Sequence, residues 1–205
     1  MVVSKRIAQS EDLINWLDRF IERLSIPSDD RSRIVASCLD VAQEHHKSIV
    51  LTTSASFHGS ASALVRIEFE AYIRGVWMSY CASDSEVEKF KQKDRLDKTM
   101  AAMIGDLESQ PAFSVGVLSD IKRRTWAAMC SFTHTGRQQV VRRLTATEIG
   151  PNYSEEEIIS VLDAAGSVAL WSAIGILNVS TGEPRHREDL ARQLLERMQE
   201  FVSPE

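Results

Sequence analysis

The stretch at residues 61–82, ASALVRIEFEAYIRGVWMSYCA, constrains the fold more than any other part of the chain. Leu64, Val65, Ile67, Phe69, Tyr72, Ile73, Val76, Trp77 and Met78 cover most of the circumference of a helix. A helix that is apolar on nearly every side must be enclosed by other elements, so this one is predicted to be central. Strand patterns are scarce in the rest of the chain, and the other segments repeat apolar residues at helical spacing. The expectation is an all-α fold, a single-domain bundle of six to seven helices over residues 1–205.

The helices can be placed in outline. Leu13, Trp16, Leu17, Phe20, Ile21 and Leu24 mark an N-terminal helix over residues 11–24. Pro27 and Ser28 precede a long helix over about 30–57, with a predicted core stripe of Ile34, Cys38, Val41, His45 and Ile49. His58-Gly59-Ser60 predicts a break, and the central helix follows from Ala61. A fourth helix, capped at Ser83 or Ser85, is charged and then apolar, and bends or breaks near Asp94. A fifth ends at Thr133, and residues 135–153 are irregular or only briefly helical. Ser154 and Glu157 form a capping box for a sixth helix that reaches Val179. The core is predicted over 30–180, with the helices at 11–24 and 187–202 packed on it.

Residues 164–182 carry no charge, but Ser167, Ser172, Asn178 and Ser180 dilute them. A buried helix is predicted there, not a membrane span. Cys38, Cys81 and Cys130 show no metal-binding spacing, and the N-terminus has no apolar signal core, so reduced thiols in a cytoplasmic protein are expected. Glu44 and His46 lie on different helix faces, and the repeated Glu-x-x-His of carboxylate di-metal bundles is absent. No metal and no other cofactor is expected. No Gly-rich phosphate loop or nucleophile triad stands out.

Net charge is −5, yet residues 120–143 hold six basic residues and one acidic. The total argues against a general nucleic-acid coat protein, while the local island permits a phosphate group or a short RNA. Two polar sets could bind it. Arg66, Glu70 and Arg74 stand at i, i+4 and i+8 on the apolar helix. They form either a self-satisfied ladder or an anion site held together by Glu70. His134 ends the fifth helix, as a cap or as a general acid or base. Arg137, Gln139, Arg142 and Arg143 follow, as a solvated loop or as phosphate ligands.

The segments ALVRIEFEAYIRGVW (63–77), FTHTGRQQVVRR (132–143) and PNYSEEE (151–157) resemble an uncharacterised family of bacterial helical proteins over roughly residues 35–180. That family is similar to the HEPN group of nucleotide-binding and ribonuclease domains of toxin–antitoxin and phage-defence systems. The resemblance implies an up-and-down bundle, a homodimer, and metal-independent RNA cleavage by an arginine and a histidine four to six residues apart. Here the nearest arginine before His134 is Arg124, with nine residues between, so that motif is missing. The family positions that do match are Arg66, Glu70, Arg74, His134, Gln139, Arg142 and Arg143.

The resulting expectation is a cytoplasmic protein that binds RNA or a nucleotide, with metal-independent ribonuclease activity as its sharpest form. His134, Arg66 and Glu70 would be catalytic. Arg74, Arg137, Gln139, Arg142 and Arg143 would hold phosphate, all in one cleft. The alternative is a non-catalytic interaction module, a homodimer or the partner of a toxin. Its interface would be the small-residue helix at 164–175 and the C-terminal stripe. Neither reading involves a membrane.

Overall fold

The computed structural model describes residues 2–93 and 96–202. They fold into α1 (Val2–Ile21), α2 (Asp30–Ser54), α3 (His58–Tyr80), α4 (Asp84–Gln92), α5 (Met100–Glu108), α6 (Val117–Thr133), α7 (Arg137–Val141), α8 (Glu155–Val179) and α9 (Pro184–Val202), with a 3-10 turn at Pro111–Phe113. Among the described residues there is no β-strand, only two isolated bridges. Helix starts follow side-chain chemistry. Asp29 accepts from the Ser32 backbone N–H, and Ser83 and Ser154 each form the expected capping box.

The six longest helices alternate in direction. Leu39 meets Gly75, while Ile49 clusters with Ala61, so α2 and α3 are antiparallel. Thr133 reaches the Ala63 carbonyl and Phe113 meets Tyr80 edge to face, so the chain entering and forming α6 runs against α3. Gln43 donates to the Ala169 carbonyl, and Leu39 meets Gly175, so α8 opposes α2. Arg6 pairs with Asp163, and Arg187 reaches the Leu177 carbonyl, which places α1 along α8 and α9 against it.

The centre of this arrangement is a close contact. A Cβ at Gly75 would lie 2.7 Å from Leu39, and one at Gly175 would lie 2.6 Å from the same side chain. Leu39 is fully buried between α3 and α8 at the two points where their backbones carry no side chain. Around it pack Val35, Ile73, Val76, Trp77, Met103 and Leu107. A second cluster joins α1, α8 and α9 through Leu13, Leu17, Phe20, Ala173, Leu194 and Phe201. Gly166 admits the Phe201 ring, which a side chain at that position would displace.

Several expectations need correction. The helix count of six to seven fits the long helices, but α4, α5 and α7 are additional short ones. The N-terminal helix begins at Val2, not at residue 11. Its first turns point Arg6 and Ser10 inward, and Arg6 is satisfied by Asp163 at 2.6 Å and by the face of Phe201, so no apolar stripe announces them. The closing helix begins at Pro184 rather than 187. The break near residue 59 lies earlier, where Ser56 takes a left-handed φ of 63° and α3 starts at His58. The fourth segment is divided into two helices, α4 and α5, which fits the expected break; Asp94 itself lies outside the described residues.

The buried face of α2 is Val35, Leu39, Ala42, Gln43, His46, Ile49 and Val50, with Val41 exposed. The predicted stripe was therefore rotated by one residue, and the core histidine is His46 instead of His45. The proposed interface on residues 164–175 and the C-terminal stripe is spent inside the chain: Ala165, Gly166, Ala169, Ala173, Gly175, Leu190, Leu194 and Phe201 are buried against neighbouring helices. α8 is the one described helix long and apolar enough to cross a membrane, and here α1, α2, α3 and α9 pack around it.

Two ionisable groups are sealed into this core without a hydrogen-bond partner among the described residues, His46 and Glu68. Burial lowers the His46 imidazole to about 4, and burial pushes the Glu68 carboxyl well above its usual value. The two make stability depend on pH in opposite directions. Between pH 6.5 and 4 the unfolded state binds a proton at His46 that the folded state refuses, so stability falls on acidification. The shift is worth about 3 kcal/mol. Above pH 4.5 the folded state keeps a proton on Glu68 that the unfolded state releases, so stability falls as pH rises.

Urea unfolding of His46→Leu is expected to show a flatter profile than wild type from pH 6.5 to 4. Glu68→Gln is expected to gain most, relative to wild type, at alkaline pH and little at pH 4. The same assay on Gly175→Ala is expected to show a loss of about 1–3 kcal/mol from overpacking against Leu39.

Candidate functional site

The end of α6 is built to turn sharply. Thr135 adopts a left-handed φ of 54°, and the Gly136 N–H bonds the Ser131 carbonyl at 2.6 Å. A Cβ at Gly136 would lie 2.6 Å from Ser131 Oγ, so glycine is required for the close approach. Ser131 Oγ then accepts from the Gln138 N–H and starts α7. Thr133 Oγ1 reaches Ala63 O at 3.3 Å and holds this corner against α3.

His134 is thereby brought onto the charged stripe of α3. Its Nε2 lies 2.7 Å from Arg66 Nη1. A guanidinium has no lone pair to offer, so Nε2 accepts and the ring proton sits on Nδ1. Arg66 Nε donates to Glu70 Oε1 at 2.8 Å, and the same carboxylate meets Arg74 at 3.5 Å. Arg66 also lies over the Trp126 ring, 4.9 Å from its centroid, and Lys122 lies 5.4 Å from the same ring. Arg66 and Glu70 are mostly covered, at 19% and 16% side-chain exposure, whereas His134 is exposed. A guanidinium oriented on three sides thus stands beside an open imidazole. Three of its five N–H groups remain without a partner among the described residues.

The other expected site residues are spread over four places. Arg74 leaves this corner and lines a separate hollow of about 640 Å³ with Cys38, Phe90, Lys91, Lys93 and Lys98. Arg142 is ion-paired with Glu157 and is not free for phosphate. Burial opposes ionisation of that carboxyl, but the Ser154 N–H and the Arg142 guanidinium hold it below its usual value. Arg137 is exposed on α7. Gln139 and Arg143 line a second hollow, of about 310 Å³, with Phe57, His58, Thr135 and Tyr153. The single cleft expected from the sequence is therefore two adjoining features on one side of α3, joined through His134 and Thr135, and a third lined by Arg74.

The 310 Å³ hollow contains groups the sequence reading missed. It lies where α2 ends, α3 and α8 begin, and α6 turns into α7. Tyr153 enters it over Gly59, where a Cβ would be 2.8 Å from Tyr153 Oη and 3.7 Å from Gln139 Nε2. The His58 and Tyr153 rings meet edge to face at 5.5 Å. Burial lowers the His58 imidazole and raises the Tyr153 phenol, so both are neutral near pH 7. His58 Nδ1, Gln139 Oε1 and Tyr153 Oη are buried polar atoms with no partner among the described residues. Each atom left so costs about 1–3 kcal/mol. Trp126, Lys122, His58 and Tyr153 were not among the expected site residues, because each matters here only through contacts distant along the chain. Among the described residues no three His, Cys, Asp or Glu side chains converge as metal ligands would.

No curated protein and no solved structure matches this chain. Residues 39–201, which include α3, the α6 corner and α8, match a family described as a family of unknown function, DUF6988. The match runs from the buried Leu39 to the buried Phe201 and takes in every residue of the Arg66–His134 corner. The chain belongs to the DUF6988 family.

Proposed function

We propose that the protein binds RNA and cleaves it without a metal ion at the Arg66–His134 corner. The observation that carries this reading is the 2.7 Å contact between Arg66 Nη1 and His134 Nε2, formed across 68 residues of sequence. The HEPN likeness gains support from the same contact: the arginine–histidine combination that is missing as a linear motif is assembled in space by α3 and α6. A cytoplasmic setting, a role in defence or stress, and a homodimer belong to this proposal as well.

The chemistry follows from the groups present. A phosphodiester docks with its non-bridging oxygens on the unpartnered N–H groups of Arg66. The 2′-hydroxyl of the preceding nucleotide takes the place of Arg66 as the donor to His134 Nε2. His134 removes that proton, the 2′-oxygen attacks phosphorus, and the P–O5′ bond breaks. The products are a 2′,3′-cyclic phosphate and a 5′-hydroxyl; the leaving oxygen takes its proton from water, and the hydroxide so formed takes the proton held by His134, which restores the free base. Arg66 stabilises the charge that grows on the phosphoryl oxygens. Glu70 is a positioning residue: it fixes the guanidinium plane, and Trp126 backs it.

The test is incubation of the purified chain with total RNA in EDTA, with product ends analysed. Cleavage to cyclic-phosphate ends is expected, with a substrate lacking the 2′-hydroxyl left intact. His134→Ala is expected to lower the rate by about 10²–10⁴-fold. Arg66→Lys is expected to lower it as well, because an ammonium cannot replace the oriented fork. Absence of both EDTA-resistant cleavage and salt-sensitive RNA binding overturns the proposal; binding without cleavage reduces it to an RNA-binding role.

A further inference from the structure

We infer that the hollow of about 640 Å³ bounded by α2, α3, α4 and α5 binds a small amphipathic anion, a molecule with an alkyl body and one carboxylate or phosphate head. The inference goes beyond the RNA reading, since it concerns the hollow that Arg74 lines and not the Arg66–His134 corner.

The floor comes from an apolar stripe that the core does not use. α2 buries Val35, Leu39 and Ala42, and Cys38 and Val41 lie beside that face and line the hollow instead. Ala71, Phe90, Leu96 and Met103 join them. Val41 keeps 44% of its surface open. Burial pushes the Cys38 thiol up, and the charge of Arg74 opposes that rise. The thiol is therefore neutral near pH 7 and adds to the apolar floor, and the arginine stands close enough to act on it.

The rest of the lining is cationic. Arg74, Lys91, Lys93 and Lys98 border the same hollow, and among the described residues no carboxylate does. Lys91 is engaged by Asp30 and Glu88, and Lys98 by Asp106. Lys93 has no ion pair among the described residues, and Arg74 meets Glu70 only at 3.5 Å, on a carboxylate that Arg66 holds at 2.8 Å. Lys93 and Arg74 are therefore open to an anion, in a chain whose net charge is −5.

The combination selects the ligand class. A bare inorganic anion would leave the apolar floor uncovered, and a neutral alkyl molecule would leave the two cations without a partner. Besides the thiol, the neutral polar side chain of the lining is Gln92 alone among the described residues. That is too little to pair the several donors and acceptors of a nucleobase, whereas an alkyl chain has none to pair. The volume lies within the range of small-molecule sites.

The experiment is calorimetric titration of the full chain with butanoate, hexanoate, octanoate, octyl phosphate, 1-octanol and inorganic phosphate, each below its micellar concentration. Octanoate is expected to bind at least about 10-fold tighter than octanol. Affinity is expected to rise about fourfold with each methylene from butanoate to octanoate. Octyl phosphate is expected to bind far more tightly than inorganic phosphate, and its comparison with octanoate tells which head the cations prefer. Val41→Glu puts a negative charge on the floor at a solvent-open position and is expected to abolish binding. Arg74→Gln combined with Lys93→Gln is expected to remove the preference for octanoate over octanol and to leave the octanol affinity unchanged. Each variant is checked for an unchanged melting temperature, and Lys93→Gln alone, at an exposed position, is expected to lower that preference in part.

Equal binding of octanoate and octanol, affinity independent of chain length, or inorganic phosphate bound as tightly as octyl phosphate overturns the inference. So does octanoate binding that survives Val41→Glu in a folded chain, or no binding at all. The cleavage assay is decided separately, because Val41 lies outside the Arg66–His134 corner and Val41→Glu is expected to leave its result unchanged. RNA cleavage without alkyl-anion binding removes only this hollow, and alkyl-anion binding in a chain that cleaves nothing removes only the catalytic reading.

Discussion

Everything in this bundle is hung on the wedging of Leu39 between two glycines. The side chain touches the backbones of α3 at Gly75 and of α8 at Gly175. Close-packed interiors do not adjust continuously, so a contact this tight fixes the rotation of both helices about their axes. With α3 fixed, its polar stripe can face only the side on which α6 packs. With α8 fixed, the chain leading into it must pass the first turn of α3, which is where Tyr153 meets Gly59. A purely apolar contact at one level of the bundle thus decides where the charged and hydrogen-bonding groups stand at another.

The polar corner has its own order of dependence. Glu70 and Trp126 hold Arg66, and Arg66 holds His134. An arginine held on several sides loses little freedom when it engages an anion, which is the main cost of binding with a long flexible side chain. The alternative of a self-satisfied ladder on α3 is half realised: Glu70 is shared between Arg66 and Arg74, but one carboxylate leaves the pair with net positive charge. The ladder and the site are therefore the same object, with the carboxylate as its frame.

The fold class and the long helices were legible in the sequence because they depend on periodicity and local capping, both short-range properties. Ser154 and Glu157 announce α8, and the apolar circumference of residues 64–78 announces the central helix. The rotation of α2 was not legible. Ile34, Cys38 and Val41 make as good a stripe as Val35, Leu39 and Ala42, and the choice rests on glycines that lie 36 and 136 residues further along. The same limit applies to the site. Arg66 and His134 stood out singly, as polar residues in apolar surroundings, and their meeting was an expectation that the geometry supports. Of the Gln139–Tyr153–His58 hollow the sequence singled out only Gln139, as a phosphate ligand, since the three residues have no shared pattern until their segments converge. Arg142 misled for the opposite reason: its partner Glu157 was read only as a capping residue, and it serves in both roles.

The place of α8 in the chain has a consequence for biogenesis. The face of the α2–α3 hairpin that meets α8 is covered only when residues 155–179 arrive, although the hairpin is complete at Tyr80. About 100 residues of synthesis separate the two events, on the order of 5–20 s at ordinary elongation rates. Throughout that interval the nascent hairpin shows Leu39 and its neighbours to water, on the surface where a late helix will lie. Apolar surface exposed in this way favours association with other chains until α8 emerges to cover it.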